Sequence, residues 1–284
     1  MVTGPQIIVL LLAVLAYLAG GAGSALGLMG RKVPRWWRWT CLLSGIALSA
    51  TLLGWHSLNV VNATGTWQPL NDNFSSMLIL AFLLAGFVGY MQIRRPIMAL
   101  DWLMMPVVVL FLLLAGHFGK TQPAAYIQTT YSVVHALTSY LGTLAFVVAG
   151  ASGSLYLMAD RRLRHRKAGG VPKPPDPGRF GSLERLERLT RASVTVGFAL
   201  LTIGIVTGVA WVLNAPGGTN LGHPWFASPK VILTAAVWLV FGAVLHSPIS
   251  LRLRGRRNAI LSIVGAALTL AALFAALLIQ KGAN

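Results

Sequence analysis

The chain has 284 residues, 56% of them hydrophobic, with 23 basic and 6 acidic side chains and a formal net charge of +17. About a quarter of an ordinary soluble domain is charged, so this composition excludes a water-soluble globule. The excess of positive charge raises the question of nucleic acid, which the placement of the charges answers below.

A helix needs about 20 consecutive apolar residues to cross a hydrocarbon core about 30 Å thick. Such runs occur at about 5–29, 40–61, 75–92, 97–116, 129–158, 194–214, 229–247 and 259–280. They are continuously apolar rather than alternating, which excludes a β-barrel. The first run follows Met1–Pro5, which has no basic residue, and stays apolar to Met29. It therefore reads as a first span and not as a cleaved leader. The expected fold is all-α: a polytopic membrane bundle of about eight transmembrane helices, with residues 1–284 forming a single transmembrane domain.

The basic residues alternate between loops. Arg31, Lys32, Arg35 and Arg38 precede the second span, Arg94 and Arg95 follow the third, and Arg252, Arg254, Arg256 and Arg257 precede the eighth. Residues 159–193 hold most of the rest, from Arg161 to Arg191, and only Lys120, Lys230 and Lys281 fall in the other loops. The positive-inside rule assigns the basic loops to the cytoplasm and both termini to the outside. Membrane topology thus accounts for the charge, and no nucleic-acid partner is needed.

Within the spans, small residues recur four apart at Ala19/Gly23/Gly27, Ala145/Ala149/Gly153 and Gly204/Gly208. In lipid this spacing lets helix backbones approach closely. Trp36, Trp37 and Trp39, beside Arg35 and Arg38, read as an interfacial anchor. Asp101 near the start of the fourth span reads as an interfacial residue about a turn from Arg95. Six acidic residues, mostly in loops, are too few for a carboxylate ion relay, and no pair of Gly/Pro-broken helices marks a transporter.

The segment 159–193 is a break in composition: a basic run, a Pro/Gly linker, then SLERLERLTR from Ser182. Ser182 suits an N-cap and Glu184 the first turn. The reading is a basic cytoplasmic loop with a short interfacial helix held by anionic lipid.

The histidines carry the chemistry. A neutral imidazole is a good haem-iron ligand. His56 and His135 lie about five and six residues below the outer ends of their spans, or ~7 and ~9 Å at the helical rise. Their matching depth allows both to serve as axial ligands of one haem. His246 closes the seventh span at the inner end, His117 lies at the outer end of the fourth, and His223 lies in the loop before the seventh. Trp225, two residues after His223, offers a stacking surface for a porphyrin. Cys41 is the only cysteine, which excludes a disulfide, a CxxC redox pair and a CxxCH site for covalent haem attachment. Any haem would be non-covalent and b-type.

Three stretches, HALTSYLGTLAFVVAGASGSLYLMADRRLR from His135, SLERLERLTRASVTVGFALLTIGIVTGVAW from Ser182 and SPKVILTAAVWLVFGAVLHSPISLRLRGRR from Ser228, resemble the cytochrome c assembly family. PLNDNFSSMLILAF from Pro69 resembles the segment entering the family's third span, and the likeness includes the shorter HemX/YpjD-like branch. The resemblance implies a haem-binding or haem-handling protein of cytochrome c biogenesis in a bacterial-type cytoplasmic membrane. Its implied partners are haem, apocytochrome and other assembly proteins.

On that model His135 matches the outer-face haem-ligating histidine, His246 the membrane histidine that closes the later helix, and His56 an early-span histidine of the shorter branch. The chain departs from the family pattern in the loop NAPGGTNLGHPWFASPK, which keeps Trp225 and the Ser-Pro-Lys tail of a tryptophan-rich motif. It also lacks a second outer histidine near the last span. Both departures favour a supporting role over that of the core ligase subunit. A non-haem accessory protein that retains the fold, and a small-molecule transporter, remain the alternatives. None of the three requires conventional catalysis by this chain alone.

Overall fold

The computed structural model describes residues 4–65, 72–94, 97–119, 130–167, 181–214, 225–246 and 255–282. These residues form eight α-helices: α1 (Gly4–Leu28), α2 (Arg35–Thr64), α3 (Asn73–Arg94), α4 (Met98–Phe118), α5 (Thr130–Lys167), α6 (Leu183–Leu213), α7 (Pro229–His246) and α8 (Arg256–Gly282). A short 3-10 turn, Trp225–Ala227, precedes α7. Every α-helix is long and apolar enough to cross a membrane, so the all-α, eight-span architecture expected from the sequence is what the chain adopts. Among the described residues there is no strand.

The helices group into two compact units, α1–α4 and α5–α8. In the first, α1 packs on α2 and α4, and α3 packs on α2 and α4. Small residues set these approaches. Gly45 of α2 lies so close to Tyr17 of α1 that an added Cβ would stand 2.6 Å from the ring. The Tyr17 hydroxyl reaches Ser49 Oγ at 3.3 Å, satisfying both polar groups inside the unit. Gly21 backs on Met105 and Gly27 on Met98, both of α4. Phe74, Phe111, Leu42, Leu52 and Met77 fill the interior.

Helix boundaries in this unit follow local chemistry. Gly65 takes φ 70 at the end of α2, and its N–H bonds the Val61 carbonyl, a left-handed cap that glycine accepts without strain. Asp72 opens α3: its Oδ1 accepts from Ser75 N at 2.8 Å, which satisfies a donor that the first helical turn leaves free.

In the second unit, α5 packs along α6 and α8, and α7 lies against α6 and α8. Its centre is a stacked pair, Phe146 of α5 and Phe241 of α7, with centroids 3.8 Å apart and planes at 5°. Gly197 of α6 and Gly265 of α8 open the space for these rings, since a Cβ at either would stand within 2.7 Å of one of them. Gly153 of α5 lets the backbone of Ala259 on α8 approach, and Ser152 reaches Thr190 Oγ1 of α6 at 2.7 Å. Side chains such as Val206 and Leu239, more than 60% exposed, face outward as lipid-facing positions do.

The segment 159–193 takes a different form from the one expected. Ser182 does cap a helix, accepting from Arg185 N at 3.3 Å. That helix, however, continues without a break through the sixth span as α6. On the other side the basic run Arg161–Lys167 continues α5. At 1.5 Å per residue, the 38 residues of α5 span about 57 Å and the 31 of α6 about 46 Å, well beyond a hydrocarbon core. The basic ends of both helices therefore extend past the apolar layer. Glu184–Arg188 (2.7 Å) and Glu187–Arg191 (3.3 Å), both four residues apart, support the first turns of α6.

Candidate functional site

His135 lies on the second turn of α5, at the end of its unit opposite the basic extensions. Its Nδ1 stands 2.7 Å from the Gly204 carbonyl oxygen of α6. A carbonyl only accepts, so Nδ1 carries the proton and donates, and Nε2 keeps its lone pair. Metal-ligating histidines have this arrangement, in which the second nitrogen is held by a carbonyl that fixes tautomer and ring orientation. Gly208, one turn further along α6, makes room for the ring: a Cβ there would stand 2.8 Å from Nδ1 and 2.9 Å from Cε1. Gly204 and Gly208 thus supply a carbonyl and a gap. As a small-residue spacing they read as helix packing alone, and their relation to the imidazole becomes visible only when α5 and α6 are placed together.

His56 is held differently. It is 3% exposed, on α2 in the first unit, and its Nε2 lies 2.5 Å from Asp72 Oδ2. The ring also rests on Phe74, with centroids 4.6 Å apart. Asp72 therefore joins α2 to the start of α3 while also capping α3. To ligate iron through Nε2, His56 would have to give up this bond. His135 belongs to the other unit, α5–α8.

His246, the last residue of α7, is exposed and bonds the Gly242 carbonyl through Nδ1 at 2.8 Å, which also leaves Nε2 with its lone pair. His117 is exposed near the end of α4, edge-on to Phe118. His223 lies outside the described residues, and Trp225 is described only as part of its 3-10 turn. Asp101 is not the interfacial residue expected: it is 2% exposed and receives Arg38 Nη1 at 3.4 Å and Gln92 Nε2 at 3.1 Å, joining α2, α3 and α4.

Among the described residues no three His, Cys, Asp or Glu side chains gather to hold a metal ion. A porphyrin brings four nitrogens of its own and needs only axial ligands. The donor set here, single imidazoles with one nitrogen pinned and the other bearing its lone pair, fits that requirement. Fold and site together define a multi-pass helical membrane protein with an oriented imidazole near one end of its second unit.

A family model described as Cytochrome C assembly protein matches residues 69–284, and the chain belongs to that family. A protein named cytochrome c biogenesis protein CcsA from Guillardia theta is 24% identical over 240 residues, 78% of this chain and 78% of that protein. Its namesake from Thermosynechococcus vestitus is 31% identical over 201 residues, 67% of this chain and 59% of that protein. Over a shorter stretch of 89 residues, the Prochlorococcus marinus (strain NATL2A) relative is 37% identical, covering 31% of this chain and 27% of its own. No solved structure matches the chain significantly. The family match includes Asp72, α3, α4 and the whole second unit, but it begins after His56.

Proposed function

We propose that this chain is a haem-binding membrane protein of cytochrome c biogenesis, and that His135 is an axial ligand to haem iron through Nε2. The observation that carries the reading is the His135 Nδ1–Gly204 carbonyl bond, because it prepares the ring for ligation before any cofactor arrives. Family membership supplies the biological setting. The basic ends of the helices are cytoplasmic on this reading, and both termini and His135 lie towards the outside.

Bound haem would supply an iron centre of the b-type for carriage or hand-over. The chain's own part is to orient one imidazole, to hold its proton on Nδ1, and to seat the ring against Gly204 and Gly208. His246, whose Nε2 is likewise left with its lone pair, is proposed as the ligand of a separate site at the cytoplasmic end. His56, fixed by Asp72, is proposed as a ligand only where that bond is released; His223 and Trp225 are proposed as contacts at the outer mouth. Apocytochrome and other assembly proteins are the proposed partners, and anionic lipid the proposed surface for the basic extensions.

The test is an absorption spectrum and pyridine haemochrome assay on the detergent-purified chain, beside His135→Ala, His56→Ala and His246→Ala. The expected result is a Soret band that is lost or shifted in His135→Ala and kept in His56→Ala. Protein that stays free of haem after expression with added haem precursor would overturn the reading. It would favour the accessory role that the shortened tryptophan motif also suits.

A further inference from the structure

The helix α7 is the shortest of its unit, 18 residues against 31 in α6. Trp238 Nε1 of α7 donates to Thr202 Oγ1 of α6 at 3.1 Å, which fixes the register of these two antiparallel helices. From Trp238 on to His246 is eight residues, a rise of ~12 Å, and the same rise from Thr202 back along α6 reaches Val194. Beyond that level α6 continues for eleven residues to Leu183, or ~17 Å. On the other side Gly265 of α8 lies against the Phe241 ring. Counting back from Gly265 puts the start of α8, Arg256, ~6 Å past the end of α7. Both neighbours thus outrun α7 at the basic end of the unit.

Beside this step lies an open cleft of about 300 Å³, its mouth included. It is lined by α6 between Glu187 and Val194, by Val244 and Leu245 of α7, and by Asn258 of α8; His246 is not part of the lining. The floor is apolar, with Val194 and Val244 buried and Leu245 half-buried. Thr190 brings no spare donor, because its hydroxyl is taken up by the Leu186 carbonyl at 2.9 Å and by Ser152 Oγ at 2.7 Å. Arg191 does: a guanidinium carries five N–H donors, and its bond to Glu187 at 3.3 Å uses one of them. On the turns of α6 and α8 that border the cleft, Arg185, Arg188, Arg191, Arg256 and Arg257 stand against Glu184 and Glu187 alone.

An apolar floor under a cationic rim, where the helices leave the apolar layer, is complementary to the two halves of a phospholipid. We propose that this cleft binds one anionic phospholipid, with Arg191 on the headgroup phosphate and the upper part of an acyl chain on Val194, Val244 and Leu245. The planar fork of a guanidinium matches phosphate oxygens, and the net positive border favours a headgroup of net negative charge over a zwitterion. The bound lipid would join α6 to α7 and α8 where α6 otherwise meets α8 little. The inference rests on the reading of the basic helix ends as lying at an anionic membrane surface, and it assigns one built site on that surface. It does not depend on haem.

The experiment titrates the full chain in detergent with phosphatidylglycerol, phosphatidylethanolamine and phosphatidylcholine of matched acyl chains, counting bound lipid by native mass spectrometry. Wild type is compared with Arg191→Gln and Arg188→Gln. Arg188 is the control: it lies on the same helix, pairs with Glu184 and does not line the cleft. Wild type should bind one phosphatidylglycerol about tenfold more tightly than phosphatidylcholine, the size of one charge-assisted hydrogen bond. Arg191→Gln should lose that preference and still bind lipid weakly, whereas Arg188→Gln should keep it. Because the lipids meet the same preparation, each ratio is independent of the folded fraction. The preference retained in Arg191→Gln, or lost equally in both variants, overturns the proposal, as does an Arg191→Gln protein that binds none of the three lipids. Phosphatidylethanolamine bound as tightly as phosphatidylglycerol overturns it too, and so does displacement of the lipid by inorganic phosphate, which would make the site one for the ion alone. A wild type with no preference for phosphatidylglycerol overturns the membrane-surface reading instead.

Discussion

Arg38 and His56 stand eighteen residues apart on α2, five full helical turns, so both project from the same face about 27 Å apart. Each meets a carboxylate from another helix: Arg38 meets Asp101 at the start of α4, and His56 meets Asp72 at the start of α3. The first unit is therefore clasped by a polar pair near each end, with apolar and small-residue packing between. Where lipid surrounds the helices, apolar burial alone gives little preference for one helix neighbour over another. Two polar pairs at fixed separation supply that preference and set the register of α2 against α3 and α4.

The Arg38–Asp101 pair gives the first prediction. Both side chains are largely buried, at 12% and 3% exposed, so removing one partner leaves the other charge uncompensated. Asp101→Ala should cost about 3–5 kcal/mol, whereas an apolar replacement of both residues should cost much less. Denaturant or thermal unfolding in detergent would check this. A double variant no more stable than Asp101→Ala would show that the pair is not the source of the loss.

Asp72 has two separable jobs, and two substitutions divide them. Asp72→Asn keeps a side-chain oxygen for the Ser75 N–H but loses the negative charge that His56 meets; Asp72→Ala loses both. The alanine variant should be less stable than the asparagine variant by about 1 kcal/mol, the usual size of an N-cap. Equal melting temperatures would mean that the cap contributes nothing measurable in this setting.

How far these relations could be read from the sequence depends on their range. Continuous apolar runs define the eight spans because crossing a bilayer imposes a length on the chain itself. Ser182 is legible as a cap for the same local reason. The fate of the residues after it was less so: LERLERLTR is amphipathic, but nothing in it separates an interfacial helix from the first turns of a long one. Partner choice is less legible still. Asp101 lies near Arg95 in sequence, yet it pairs with Arg38, 63 residues away. Counting residues from the span ends gives His56 and His135 similar expected depths, but such a count says nothing of which helices pack together, and they belong to different units. Gly208 carries the plainest lesson, because a glycine that only permits packing and one that seats an imidazole have the same spacing.

Orientation is open to a direct test. Cys41 is the only cysteine, so a Cys41→Ser background allows single reporters. Arg162→Cys and Asn214→Cys both replace exposed residues, at opposite ends of the second unit. A membrane-impermeant maleimide should label Asn214→Cys in intact cells with an opened outer barrier, and Arg162→Cys only after the membrane is permeabilised. The reverse pattern would invert the topology and place His135 on the cytoplasmic side.

The sharpest local prediction concerns Gly208. Adding one methyl there puts carbon 2.8 Å from His135 Nδ1, inside any acceptable contact, so either the ring turns or α5 and α6 part. A turned ring loses the Gly204 bond and with it the fixed tautomer; losing such an orienting partner typically costs 10–100-fold in metal affinity. Gly86 of α3 is the control, since a Cβ there meets nothing within 4 Å. Gly86→Ala should be neutral or stabilise by about 0.5–1 kcal/mol, because alanine loses less chain entropy than glycine in a helix. Haem titration and thermal unfolding of both variants separate the causes. Gly208→Ala should weaken haem binding by about 10-fold or more while the protein still elutes as a folded species. Binding unchanged in that variant would mean that the carbonyl and the gap on α6 are helix packing and no part of a ligand site.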